Sequence, residues 1–219
     1  MTEEKAPPPT LVLLVRHGTT PTTGRVMPGR APGLNLSDRG RDQAERVGER
    51  VAAASPSAIY SSPLERARQT AEPLARRTGL AVVEEPGLLE SDVGDWTGEP
   101  LADLARLPAW RTVQERPAEF RFPGGESLLE MQERMAATLE SVRAEHAGST
   151  VACFSHADPI KAALSYAFDL SLDRFQRLTV SPCSVSAIAY PAAGDGVHGD
   201  PVVLTVNSTL ESLGDLRIS

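Results

Sequence analysis

A chain of 219 residues with 41% apolar content carries enough hydrophobic material for a sizeable core within one α/β domain. Its formal net charge of -7 disfavours a nucleic-acid role and supplies no basic patch for a membrane surface, and no apolar run approaches the length of a transmembrane helix. Lysine occurs only as Lys5 and Lys161, so any anion site must be built from arginine and histidine.

Met1 to Pro9 reads as a flexible tail rather than a signal peptide. The run Leu11-Val12-Leu13-Leu14-Val15 has no polar alternation, which predicts a strand buried on both faces, as in a parallel sheet covered by helices. It ends in Arg16-His17-Gly18, at the carboxyl end of the strand, where ligands of such sheets bind. A histidine there can be a nucleophile, a base or a metal ligand, and the arginine beside it favours a phosphate or carboxylate.

Ser37 is placed to cap a helix running to about Ala54, with Ala44, Val47 and Val51 on one face. Ala58-Ile59-Tyr60 reads as a short strand, and Ser61-Ser62-Pro63 as a turn opening a helix with Ser62 as its cap and Pro63 in its first turn. Arg66 then lies near the positive end of a helix dipole, again beside a strand's carboxyl end, whereas Arg68 reads as an exposed residue pairing with Glu65 or Glu72. Leu80-Ala81-Val82-Val83 is the next predicted strand. Ser127 to about Ala147 is a long helix whose stripe of Leu128, Met131, Met135, Leu139 and Val142 reads as core.

Thr150 to Ser155 repeats the buried-strand pattern and ends at His156, before Asp158-Pro159 opens another helical segment. Ser184 to Tyr190 and Val202 to Val206 are later strands, separated by the loop Pro191 to Pro201. His146 and His198 read as surface residues. Cys153 and Cys183 read as core thiols, too few for a disulfide framework, which makes a cytoplasmic location the default. The alternation predicts a three-layer α/β/α fold with a mostly parallel central sheet, a single domain over 10–207, and tails at 1–9 and 208–219.

Six elements in order give the chain a wider likeness. They are Val15-Arg16-His17-Gly18-Thr19-Thr20, Leu36-Ser37-Asp38-Arg39-Gly40 with Gln43-Ala44, Ser61-Ser62-Pro63-Leu64-Glu65-Arg66-Ala67, Leu89-Glu90 with Gly94-Asp95-Trp96-Thr97-Gly98, Pro123-Gly124-Gly125-Glu126-Ser127, and Ser155-His156. With these the chain, from about Leu11 to Tyr190, resembles the histidine phosphatase superfamily, also called the phosphoglycerate mutase-like family. The resemblance implies that His17 is the nucleophile, that Arg16, Arg66 and His156 surround the transferred phosphoryl group, and that Glu90 is the proton donor. Glu90 is preferred to Asp92 because the family's donor follows a leucine and precedes a Gly-x-x-x-Gly stretch. The scheme needs neither a metal nor a cofactor, since the arginines stabilise the developing charge.

Two positions depart from the pattern. Many relatives carry an asparagine seven residues after the first arginine; here Thr23 stands there, and its hydroxyl can still donate to phosphate. After the second histidine, where relatives are often small or glycine-rich, the chain has Ala157-Asp158-Pro159. The Ala157 amide can still face phosphate, whereas Asp158, if it points inward, selects a substrate with a cationic group. Residues 99–122 are expected to form a helical insertion over the site, offering Trp110, Phe120, Arg111, Arg116 and Arg121 to the substrate's non-reacting part, although an aromatic in an insertion is more often packed.

The segment after Glu90 looks like the short phosphatase branch rather than a dedicated glycolytic mutase. The expectation is therefore a metal-independent phosphomonoesterase acting on a small metabolite through a phosphohistidine at His17. The alternatives are a phosphomutase with the same intermediate and, from another class, a non-catalytic phospho-ligand-binding protein. The partner is a small phosphate ester, with no nucleic acid and no membrane, and a homodimer is left open.

Overall fold

The computed structural model describes residues 8–192 and 200–209. Most of the expected tails, His198 and the centre of the Pro191 to Pro201 loop lie outside the described residues. The central sheet contains β1 (Thr10–Arg16), β2 (Ala58–Ser61), β3 (Val82–Glu84), β4 (Thr150–Ser155), β5 (Val185–Tyr190) and β6 (Val202–Ser208), in the order β3-β2-β4-β1-β5-β6. The β3/β2, β2/β4 and β4/β1 pairs are parallel, and β5 runs antiparallel to both β1 and β6.

The period of two along β1 sends its side chains alternately to two cores. Val12 and Leu14 join Met135, Leu139, Val142, Ile160 and Leu164, from α5 (Leu128–Glu145) and α6 (Ala157–Ala167). Leu13 and Val15 join Val47, Val51, Ala71 and Leu74, from α1 (Asp38–Ala52) and α2 (Glu65–Thr78). The layers are therefore helix, sheet, helix. All five apolar residues of the predicted α5 stripe are buried, and Ser127 closes a reciprocal capping box with Glu130 at the helix start.

Local signals misplace two boundaries. Helix α2 begins at Glu65 with Leu64 as its N-cap, not at Ser62, whose hydroxyl lies 2.8 Å from His156 Nε2 and accepts only the Leu64 amide, at 3.4 Å. Strand β3 begins at Val82, two residues later than its apolar run, since only Val82 to Glu84 find partners on β2. Arg68 pairs with Glu84 across the surface rather than with Glu65 or Glu72. His146 is not a bare surface residue: its Nε2 lies 2.9 Å from the Tyr60 hydroxyl.

A third core forms where α3 (Leu101–Leu104) and α4 (Pro108–Glu115) fold against the 92–97 and 120–122 segments. Trp96, Phe120 and Phe122 meet there edge to face or tilted, with centroids 5.0–5.5 Å apart. Trp110 packs onto Trp96, so the aromatic residues offered to substrate are structural. Arg111, Arg116 and Arg121 are exposed and pair with Glu115, Glu119 and Glu130, contacts that contribute little to stability. Among the described residues no helix is long and apolar enough to cross a membrane.

The loop leaving β1 is pressed against the start of α1. Thr19 O accepts from the Ser37 amide at 2.9 Å and from its hydroxyl at 3.0 Å, and a Cβ added at Gly40 would lie 2.0 Å from that same oxygen. Only glycine permits this approach. Gly40→Ala is expected to destabilise the protein by at least about 1–3 kcal/mol, as overpacking does, and to lower activity by displacing the loop beside His17. An unchanged urea midpoint would show that the contact gives way freely.

Candidate active site

Parallel pairing of β1 with β4 sets Arg16 opposite Ser155, so the next residues, His17 and His156, emerge side by side at the same sheet edge. Their ring centroids are 5.2 Å apart, and both side chains are buried. His17 Nδ1 lies 2.7 Å from the Gly18 carbonyl oxygen. A carbonyl only accepts, so Nδ1 carries the proton and Nε2 presents a bare lone pair. Burial, followed by the charges of Arg16 and Arg66, pushes the His17 pKa well below the ordinary 6.5. The imidazole is therefore neutral at physiological pH.

Around that nitrogen stand polar groups that the protein leaves unsatisfied. Arg16 donates through Nη1 to Val180 O at 2.6 Å, and Arg66 through Nη2 to Gly29 O at 2.8 Å. Arg16 Nε, Arg66 Nε and Nη1, and His156 Nδ1 are buried with no hydrogen-bond partner among the described residues. Such groups cost about 1–3 kcal/mol each, more when charged, so their grouping at one strand edge reads as a preorganised anion cradle. Burial lowers both arginine pKa values and Glu90 chiefly opposes it, while the guanidinium itself remains protonated. His156 is likewise pushed well below its ordinary value, by burial first and then by Arg66.

Glu90 completes the group. Its Oε2 is 4.0 Å from His156 Nδ1, and its side chain is 14% exposed. Burial first, then the negative charge of Asp158, pushes its carboxyl up to about 7; Arg66, the Ser91 amide and Arg16 act in the opposite sense. A carboxylic acid that holds its proton near neutrality, beside an anion cradle and a bare imidazole, is equipped for general acid chemistry. Asp92 is not an equivalent choice. It is 46% exposed, accepts from the Gly94 amide and faces Arg30, which makes it a turn residue.

Sequence reasoning missed the residues that hold Glu90 in place. Arg30 Nε donates to Glu90 O at 2.8 Å, and Arg134 Nη1 donates to Leu89 O and Gly87 O. Both guanidiniums converge on Glu126 Oε1, at 3.1 and 2.8 Å, which also accepts the Asp92 amide. The Gly-Gly-Glu run around Glu126 was a visible signal without a role; Arg30 and Arg134 act through carbonyls and left none. Ser62, whose hydroxyl lies 2.8 Å from His156 Nε2, was visible as a cap candidate and within the Ser61-to-Ala67 element, with no role at the site.

The remaining expected residues are placed less directly. Thr23 Oγ1 accepts from the Thr20 amide at 2.8 Å and lies 2.9 Å from its hydroxyl, so it closes its own turn. Ala157 is the first residue of α6 with His156 as N-cap and no side-chain cap bond, so its amide belongs to the helix end that favours anions. Among the described residues there is no group of three or more His, Cys, Asp or Glu side chains suited to a metal ion.

A family model for the histidine phosphatase superfamily (branch 1) matches residues 12–199. The chain is 32% identical over 182 residues to phosphoserine phosphatase 1 of Hydrogenobacter thermophilus, covering 81% of this chain and 85% of that protein. It is 35% identical over 182 residues to a probable phosphoglycerate mutase of Proteus mirabilis, covering 82% and 84% respectively. Its fold matches that of a mycobacterial glucosyl-3-phosphoglycerate phosphatase with a TM-score of 0.82 at 26% identity, over 91% of this chain and 99% of the other.

The raised Glu90 value carries a stability consequence. A carboxyl with a folded-state pKa of about 7 and an ordinary value of 4.5 binds its proton more tightly in the folded state. Its ionisation therefore costs nothing below about 4.5, progressively more between the two values, and up to about 3 kcal/mol above 7. Glu90→Gln is expected to stabilise the protein relative to wild type at pH 8.5, with the advantage shrinking by pH 5. A pH-independent difference between the two melting curves would mean that Glu90 titrates like an exposed carboxyl.

Proposed function

The chain belongs to the histidine phosphatase superfamily (branch 1), and from that premise we propose that it hydrolyses a small phosphate monoester through a phosphohistidine at His17. The observation that carries this reading is the bare Nε2 of a neutral, buried imidazole grouped with unpaired buried nitrogens of Arg16, Arg66 and His156. Phosphoryl transfer needs an in-line nucleophile, donors on the equatorial oxygens and a proton for the leaving alkoxide.

In this scheme the Nε2 lone pair attacks phosphorus while the ester P–O bond breaks. Its electron pair passes to the alcohol oxygen, which takes the Glu90 proton. Water then attacks the phosphohistidine, giving its proton to the Glu90 carboxylate; the P–N bond breaks, Nε2 regains its pair, and inorganic phosphate leaves. Arg16, Arg66 and His156 hold the three equatorial oxygens throughout, with the Ala157 amide at the edge of the same cradle. The proposal assigns the charge stabilisation to these residues without a metal ion. Two free, buried cysteines fit a reducing compartment, and the cytoplasm is the location we assign.

The phosphomutase alternative uses the same intermediate, and the Proteus mirabilis relative keeps it in view. It differs in the second step, where a reoriented substrate rather than water takes the phosphoryl group.

The wild type is expected to release phosphate from a panel of small monoesters in the presence of a chelator, and His17→Ala to release none. Phosphate release by both proteins, or loss of activity on chelation, would overturn the assignment. Glu90→Gln should slow alkyl esters by about 100-fold or more while an activated aryl phosphate loses far less; equal losses would remove Glu90 as the proton donor. With Glu90 protonated only up to about pH 7 and His17 neutral from well below 6.5, kcat/KM for an alkyl ester should fall as the pH rises through 7. A profile flat to pH 9 would contradict that pairing.

A further inference from the structure

We infer that the Ser62 hydroxyl, by donating its proton to His156 Nε2, fixes the tautomer of His156 and so makes Nδ1–H the donor offered to the transferred phosphoryl group. Ser62 is thus a positioning residue of the same site, and its kinetic effect rests on the phosphomonoesterase reading.

The end of β2 holds Ser62 in place. Its amide donates to Phe154 O at 2.9 Å, next to the last β2/β4 pair of Ser61 with Phe154, and Pro63 restricts its backbone to extended conformations. His156 directly follows β4, whose last residue, Ser155, is anchored by its hydroxyl to Leu88 O at 2.7 Å. Ser62 and His156 are both fully buried, with Ser62 Oγ 2.8 Å from His156 Nε2.

Hydrogen-bond accounting decides the direction of that contact. A neutral imidazole carries one N–H and one bare nitrogen, and His156 is neutral because burial, then the charge of Arg66, pushes its pKa well below 6.5. If Ser62 donates, its proton and the Nε2 lone pair satisfy each other, and Oγ still accepts the Leu64 amide at 3.4 Å. Only Nδ1–H is left over. If Nε2 donated instead, the buried Ser62 proton would have no acceptor and the bare Nδ1 no donor among the described residues. That arrangement strands two buried groups where the first strands one, and each stranded group is costly.

No carboxyl sets the tautomer from the other side of the ring. Glu90 Oε2 is 4.0 Å from Nδ1, beyond hydrogen-bond reach, and Asp158, two residues on, is paired with Lys161 Nζ at 3.2 Å. The left-over Nδ1–H is therefore a buried donor without a partner, as are the free nitrogens of Arg16 and Arg66, and an anion's oxygens answer all three. A bare Nδ1 would present a lone pair to the same oxygen and repel it.

The test reads the ring nitrogens of His156 by long-range 1H–15N correlation in the 15N-histidine-labelled protein, assigned with a His156→Asn sample, since protonated and bare ring nitrogens resonate far apart. The wild type at pH 7 should show Nδ1 protonated and Nε2 bare; the reverse overturns the inference, whether or not any Ser62 variant folds. Ser62→Ala should admit the Nε2–H form and bind inorganic phosphate, measured by calorimetry, about 10-fold or more weakly. Its kcat/KM should fall by a similar factor for an alkyl ester and for p-nitrophenyl phosphate alike, because the lost donor serves the phosphoryl group and not the leaving alcohol. Weaker activity with the wild-type tautomer intact, or a loss confined to the alkyl ester, overturns the role of Ser62. A wild type with Nδ1 protonated that binds phosphate yet hydrolyses no ester rejects the phosphomonoesterase reading and supports the tautomer assignment.

Discussion

The in-register parallel pairing of β1 with β4 is the constraint on which the rest of the site depends. Opposition of Arg16 and Ser155 brings two histidines that are 139 positions apart in the chain to a ring separation of 5.2 Å. A one-residue slip would turn every β4 side chain to the other face and put Cys153 and Phe154 into the wrong cores. Register is therefore held by both hydrophobic layers at once, and the catalytic geometry inherits the rigidity of the core.

That rigidity sustains an arrangement that is electrostatically unfavourable in isolation. Two buried guanidiniums with unpaired nitrogens, two imidazoles kept neutral and a carboxyl raised to about 7 all suffer from burial, and the guanidiniums further oppose the charging of the imidazoles. Such groups would separate or hydrate if the loops were free. Gly18 and Gly40 hold the β1 loop against α1, with backbone approaches that a Cβ would block. Glu126 gathers Arg30 and Arg134 onto the carbonyls that precede and include Glu90. A site built this way does not reorganise its dipoles as charge develops, which is the economy of electrostatic preorganisation.

The three cores divide the work. The two that flank the sheet fix the strand ends, while the third, around Trp96, Phe120 and Phe122, supports the segment carrying Glu90 from the side of α3 and α4. Its aromatic residues are committed to one another, and the arginines nearby to surface carboxylates.

Much of this was legible in the chain because it is local. Branched apolar runs with no polar alternation specify buried strands, so β1 and β4 and the residues at their ends could be read directly, as could the Ser37 and Ser127 caps and the stripe on α5. Antiparallel addition of β5 and β6 could not, since strand order and direction depend on pairing rather than on composition. Ser62 shows the limit most plainly: its sequence context suits a helix cap, yet its hydroxyl is bound by a histidine 94 residues away. Arg30 and Arg134 left no signal because they hold the Glu90 loop through main-chain carbonyls, which any residue supplies. The sequence by itself determined the strands, the layer pattern and which histidines and arginines end at the sheet edge, because short-range sterics and burial periodicity dictate them. Only the tertiary structure decided the His17 tautomer, the protonation of Glu90 and the partners of Ser62, Glu126 and Asp158, because these depend on distances and dielectric that arise when remote segments are packed together.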